Sequence, residues 1–344
     1  MPNRFDGLVD PEEIERVIRR LGGDLERREF LKKMGRLAGG LLLGASLGAV
    51  AASCGGRTPR VTRTSAPGTS PPPQPAAAAD LAVATTGTPA EMTRKALDAI
   101  GGMGRFVEAG NVVVVKPNAS FMDGLQAGTS TNPDVVAEVI RMCREAGAAR
   151  VILVDHTLRG AAEACLNANG IGAAARAAGA ELLVRGGSDQ GGGVTTPIPD
   201  AVAMTSADVY PEVLAADVVI TVPKAKHHGS AGLSLGLKNF IGVTSNMSEI
   251  HNHGLQQSIA DLATLVRPRL SVVDATVILL ENGPGGPGPT RVANTVIASG
   301  DAVAADSYAC TLFGMTAADV PYIVHAAGAG LGTADFNALK VVNV

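Results

Sequence analysis

The sequence predicts an α/β protein, a layered sandwich with a mixed or mostly parallel sheet and helices on both faces. Three observations carry this. Runs such as Val112-Val113-Val114-Val115 are apolar at every position, as strands buried on both faces require. These runs alternate with amphipathic stretches that begin and end on helix-capping residues. Hydrophobic residues make up 46% of the chain while aromatics are only 3% and tryptophan is absent, so Ala, Val, Leu and Ile must fill a sizeable core.

With 344 residues the chain could form two domains, but its first part reads as a non-globular leader. Glu26-Arg27-Arg28-Glu29-Phe30-Leu31-Lys32 precedes a mild apolar run from Leu37 to Ala52, a pattern that resembles a twin-arginine export signal. That run is glycine-rich and shorter than the roughly 20 residues a bilayer-spanning helix needs. Ala51-Ala52-Ser53-Cys54-Gly55 then resembles a lipoprotein processing site with Cys54 as the lipidated residue, although Ala51 stands where such sites usually carry leucine. The Pro/Ser/Thr/Ala-rich segment after it has almost nothing to bury and reads as an extended tether. The expected organisation is a signal over 1–54, a tether over 55–80 and one α/β domain over 81–344. The expected partners are the twin-arginine export machinery and a membrane held through lipid, and the expected location is the periplasm or cell envelope.

Within the domain, Glu91 to Met103 reads as a helix. Val112 to Val115 is the first strand and delivers Lys116-Pro117-Asn118 to its carboxyl end. Asn132-Pro133-Asp134 opens a helix that runs to about Glu145, Asn132 serving as N-cap and Pro133 occupying the first turn. Arg150 to Asp155 is the second strand, with Asp155-His156 at its edge. Ala161 to Ala178 is helical but broken at Asn169-Gly170, and Glu181 to Val184 is the third strand. Tyr210 to Ala215 is a helical turn before the strand ending at Val222. Leu255 to Val266 places Ile259, Leu262 and Leu265 on one helix face. Leu270 to Asp274 and Val292 to Ala298 are strands flanking a glycine/proline loop, a candidate rim or lid. Asp301 reads as the N-cap of the next helix and Asp306 as an inward-facing group. Pro321 to Ala327 forms a last helix and Lys340 to Val344 an edge strand.

The chemistry is concentrated between Val222 and Gly254. His227, His228, His251 and His253, four of the six histidines, lie there with Lys224, Lys226 and Lys238. In a chain of formal net charge −3, this cluster would attract a small anionic ligand such as a carboxylate or phosphate. Its imidazoles can move protons near neutral pH. Lys116, Asn118, Lys224, Lys226 and Asn239 are the candidates for holding that ligand or an organic cofactor. His228, Lys238 and His253 are the candidates for catalysis. A divalent metal is the competing reading, with His227, His251 and Asp155 as ligands, or with His253 in place of His251 and Glu249 in place of Asp155. His156 and His325 read as structural, and Asp274 as a loop cap. Cys143, Cys165 and Cys310 show no C-x-x-C spacing, so no cysteine-ligated iron–sulfur cluster is expected. The charge pattern offers nucleic acid no basic stripe interleaved with aromatics.

Pro223-Lys224-x-Lys226-x-His228, Leu235-Gly236-Leu237-Lys238-Asn239-x-x-Gly242 and Gly300-Asp301-x-Val303-Ala304-x-Asp306 together resemble the bacterial and archaeal family DUF362 over roughly Asn111 to Gly332. Many members of that family carry a ferredoxin-like module with two cysteine clusters, which this chain lacks. His228 and Lys238, separated by a Gly/Ser-rich segment, also resemble the cofactor region of the nickel-pincer lactate racemase superfamily. That resemblance implies a metal-contacting or proton-transferring His228, a cofactor-fixing Lys238 and a further active-site His253. The racemases' arginine-bearing N-terminal pattern is replaced here by Lys116-Pro117-Asn118. Two functions follow as expectations: an exported enzyme or cofactor-binding protein acting by proton transfer or redox chemistry on a small anion, or a non-catalytic periplasmic ligand- or metal-binding lipoprotein.

Overall fold

In a computed structural model, the structure describes residues 78–344 apart from 159 and 187–190. The expected export signal, Cys54 and the tether up to residue 77 lie outside the described residues. The strands are β1 (Leu81–Ala84), β2 (Val112–Pro117), β3 (Arg150–Thr157), β4 (Glu181–Gly186), β5 (Val194–Pro197), β6 (Ser206–Val209), β7 (Val218–Val222), β8 (Lys224–His228), β9 (Gly232–Ser234), β10 (Leu270–Leu279), β11 (Thr290–Ser299) and β12 (Val341–Asn343).

The main sheet runs β12-β1-β11-β10-β7-β2-β3-β4, with β8 pairing β10 and β9, while β5 and β6 form a separate antiparallel ribbon. Strands β10, β7, β2, β3 and β4 are mutually parallel, and β11 joins them antiparallel to β10 and β1. The sheet is mixed and mostly parallel, as the unbroken apolar runs predict. Val113 and Val115 face one core with the helices Pro89–Ala99 and Pro133–Glu145, and Val114 faces a second core with Leu255–Leu265 and Ala302–Cys310. Alternate side chains of one strand therefore leave water on opposite faces, which is why the run carries no polar residue.

Caps set the helix starts. Thr88 and Glu91 form a reciprocal capping box at the first helix, so it begins at Pro89 and ends at Ala99, with Met103–Arg105 a separate turn. Asn132 accepts from Asp134 N, and Asp301 from Ala304 N, each as an N-cap.

The chain passes β2, β3 and β4 outward on one side, then returns to lay β7 and β10 on the other side of β2. The reversal between β2 and β7 opens a crevice at their carboxyl ends, where α/β sheets hold ligands. Lys116 sits at the end of β2, and Lys224 follows the break at Pro223 between β7 and β8.

Candidate functional site

Beyond Pro223 the chain forms strand β8, so Lys224, Lys226 and His228 share one side of it and Ala225 and His227 the other. The spacing Lys-x-Lys-x-His is thus a strand period, in a second strand beyond the Val222 at which the sequence predicts the strand to end. A three-residue turn joins β8 to β9, and the ring of His228 closes on it: Nδ1 accepts the N–H groups of Ser230 and Ala231, both at 3.2 Å. With Nδ1 an acceptor, the ring proton belongs to Nε2, the nitrogen left to meet the cavity. Burial, reinforced by Lys238 and Lys226, pushes the imidazole down to about 3, so His228 is neutral at physiological pH.

The cavity occupies about 310 Å³ and brings together Lys116, Asn118, Asp155, His156, Lys224, His228, Ser234, Lys238, Asn239 and His251. Leu158, Leu235, Ile241, Met247 and Pro284 supply apolar wall.

Lys116, Lys224 and Lys226 are no more than 1% exposed, so each needs a partner. The Lys116 ammonium meets Asp155 Oδ1 at 2.6 Å, Pro117 O at 2.6 Å and Asn239 Oδ1 at 3.0 Å, which uses all three N–H donors. Burial still pulls its pKa below the ordinary lysine value, with Asp155 acting in the opposite sense. Lys224 pairs with Asp274 Oδ2 at 2.9 Å and reaches Thr276 Oγ1 at 3.3 Å, leaving one N–H unspent. Lys226 reaches Asn118 Oδ1 at 3.4 Å and Thr129 O, and lies 4.3 Å from the centre of the Phe121 ring. Burial drives its pKa well below the ordinary value, followed by repulsion from Lys238.

Lys238 differs from these three. It is half-buried in the cavity wall, and among the described residues its ammonium makes no hydrogen bond or ion pair. Burial and the neighbouring Lys116 pull it down to about 8. The helix Gly236–Asn239 that carries it is held by Asp306, which accepts Gly236 N at 2.7 Å and Leu237 N at 2.9 Å.

Several expected roles change. Asn239 has spent its amide inside the fold, donating to Lys116 O at 2.7 Å and Thr221 Oγ1 at 3.1 Å, and therefore ties β2 to β7 rather than offering donors to a cofactor. The expected metal set is not assembled: among the described residues no three His, Cys, Asp or Glu side chains are placed to hold an ion. Asp155 is occupied by Lys116 and by the N–H groups of Ala119 and His156. His227 Nδ1 accepts Gly283 N at 3.1 Å and anchors the glycine/proline loop. His251 lines the cavity, but its Nδ1 is turned to Met247 O at 3.0 Å. His253 leaves the site because two positions along a helix point in nearly opposite directions; it lines a second hollow of about 180 Å³ with Asp208, Thr244 and Glu249. His156, read from sequence as structural, faces the main cavity while its Nδ1 lies 2.7 Å from Tyr210 Oη. No sequence signal joined it to Tyr210, 54 positions away.

Fold and site define an α/β protein with a lysine-lined cavity at the switch point of its sheet. Residues 113–311 match the family model described as Domain of unknown function (DUF362), and the chain belongs to that family. It is 28% identical over 238 residues to the Thylakoid-associated protein sll1697 of Synechocystis sp., spanning 66% of this chain and 71% of that protein. Two solved structures share a distant likeness. One is the lactate racemase apoprotein of Thermoanaerobacterium thermosaccharolyticum, with TM-score 0.40, 12% identity, and coverage of 57% of this chain and 50% of that one. The other is a structural-genomics target from Thermotoga maritima, with TM-score 0.40, 14% identity, and coverage of 66% of this chain and 60% of that one. The chain therefore spans half to three fifths of the lengths of those two proteins.

Among the described residues, the side chains present do not fit a protein-built site for a metal ion of the kind the racemase resemblance implies. Among the described residues His228 Nε2 has no hydrogen-bond partner, but Asp155 and His227 are committed to other partners, and lysines stand around the rest.

Proposed function

We propose that the protein binds a small anionic molecule in the cavity between β2 and β7, with Lys238 as the cation that meets it. The supporting observation is the contrast among the lysines: Lys116 and Lys224 are neutralised by Asp155 and Asp274, whereas Lys238 lines the same cavity and, among the described residues, makes no ion pair with a carboxylate. An anion would supply the missing partner. The remaining N–H of Lys224 and the Nε2–H of His228 provide further donors, and the apolar wall lowers the local dielectric, which strengthens each of these contacts. A lysine that titrates at about 8 can also give and take a proton near neutral pH, so proton transfer to or from the bound molecule is the chemistry the site favours. Calorimetric titration with propionate tests the binding. Lys238→Met should weaken it at least about tenfold, a loss of about 1.4 kcal/mol, and equal affinity in both proteins would end the proposal.

We also propose export through the twin-arginine route and anchoring through lipid on Cys54, on the strength of Arg27-Arg28, the apolar run after them and the Ala51-to-Gly55 segment. Cell fractionation is the test. Arg27→Lys with Arg28→Lys should hold the protein in the cytoplasm, and Cys54→Ser should release it from the membrane fraction. Unchanged distributions would remove these assignments.

A further inference from the structure

Resting on that reading of the cavity, we propose that Lys238 is a nucleophile that forms an imine with an oxo acid, a small carbonyl compound bearing a carboxylate.

The cavity divides its lysines by role. Lys116 is saturated by Asp155, Pro117 and Asn239, so its nitrogen is closed to chemistry. Lys224 is held as an ammonium by Asp274 with one donor to spare, the arrangement that suits a fixed carboxylate contact. Among the described residues Lys238 Nζ makes no hydrogen bond or ion pair to a carboxylate or carbonyl, and it stands in a cavity with apolar wall residues beside other lysines. A lysine in such a setting is activated as a nucleophile, because desolvation and like charge both favour the neutral amine. With a midpoint of about 8, roughly a tenth of the lysine carries its lone pair at pH 7.

Attack by the Lys238 amine on the carbonyl carbon forms a C–N bond and turns the carbonyl oxygen into a hydroxyl. Loss of that hydroxyl breaks the C–O bond. The two amine protons leave with the oxygen as water, so no oxidant, reductant or further reactant is needed. His228 remains neutral and acts through Nε2–H as a hydrogen-bond donor to the oxygen. Lys224 faces the same cavity and can take the carboxylate while the amine reacts.

The experiment treats the full chain with glyoxylate and sodium cyanoborohydride, which reduces an imine to a stable amine, and locates the adduct by peptide mass mapping. The expected result is one dominant adduct on Lys238. Its yield should rise at least tenfold from pH 6 to pH 8.5, fall when propionate competes, and vanish in Lys238→Arg. Melting curves of Lys238→Arg confirm that it folds, and Lys238→Met provides a second variant. Adducts spread over exposed lysines such as Lys95 and Lys340, equally in wild type and variant, would overturn the proposal. Propionate binding measured on the same samples separates the two ideas. Binding without an adduct removes the imine and leaves the anion site, whereas loss of both removes both.

Discussion

Asp306 Oδ1 accepts the backbone N–H of Gly236 at 2.7 Å, two residues before Lys238. The final sequence motif, Gly300 to Asp306, thus fixes the segment on which the unpaired lysine is carried. A Cβ on Gly236 would come within 2.8 Å of that carboxylate oxygen and 2.9 Å of Ser271 Oγ, so the glycine is needed for the approach.

Titration of Asp306 should be visible in stability. Burial pushes its carboxyl from 3.8 up to about 7, against the two backbone N–H groups that favour the charged form. An acid whose value is raised by folding binds its proton more tightly in the folded state, so the folded state loses stability as pH rises between those two values. Asp306→Asn cannot titrate. Urea unfolding at pH 5 and pH 8 should show the wild type losing ground to the variant at the higher pH; a difference independent of pH would show that Asp306 does not behave this way.

Gly242 makes room for a second contact. A Cβ there would collide with Asp155 Oδ1 and lie 2.9 Å from Lys116 Cε. Gly242→Ala should therefore displace the buried Lys116–Asp155 pair and cost about 1–3 kcal/mol of stability, as overpacking does. Chemical denaturation measures the cost. A neutral substitution would mean that the pair relocates freely.

Asp274 serves Lys224 and a neighbouring loop at once. Its Oδ2 receives Lys224 Nζ at 2.9 Å and Asn132 N at 2.7 Å, and its Oδ1 receives Thr276 N at 2.9 Å. Asp274→Asn leaves a buried ammonium without its counter-charge, and the expected loss is about 3–5 kcal/mol. Part of it should be recovered by Lys224→Met in the same chain, a comparison that equilibrium unfolding of the single and double variants makes directly.

Binding of propionate should follow the charge on Lys238. The ammonium form is present below about 8 and is lost above it, so affinity should fall as pH rises through that value. His228 adds no step between pH 5 and pH 9, because its proton is lost at about 3. Calorimetry across this range in wild type and in Lys238→Met should show an alkaline limb only in the wild type.

The sheet was legible because Val113 to Val115 and Val218 to Ile220 are buried on both faces and carry no polar residue. The cavity's lysines were legible as a cluster, since strand ends gather ligand-binding groups. Their division into paired and unpaired groups was not: Asp155 lies 39 positions from Lys116 and Asp274 lies 50 from Lys224. Strand β8 was missed because Lys224-Ala225-Lys226-His227-His228 lacks the apolar pattern of a strand, its polar side being buried by Asp274, Thr129 and Phe121 instead of by hydrocarbon. His253 looked like part of the site from its nearness to His251, and helix geometry sends it elsewhere.

Competitive labelling tests the central claim most directly. Trace acetic anhydride is applied to the folded full chain across pH 6 to pH 11, and the acetylation of each lysine is read by peptide mass. Lys238 should label with a midpoint near 8 and be protected by propionate, while the saturated Lys116 and the fully buried Lys226 stay unlabelled until the protein unfolds. Labelling of Lys238 at the ordinary lysine value of 10.5, with no protection by propionate, would contradict the account.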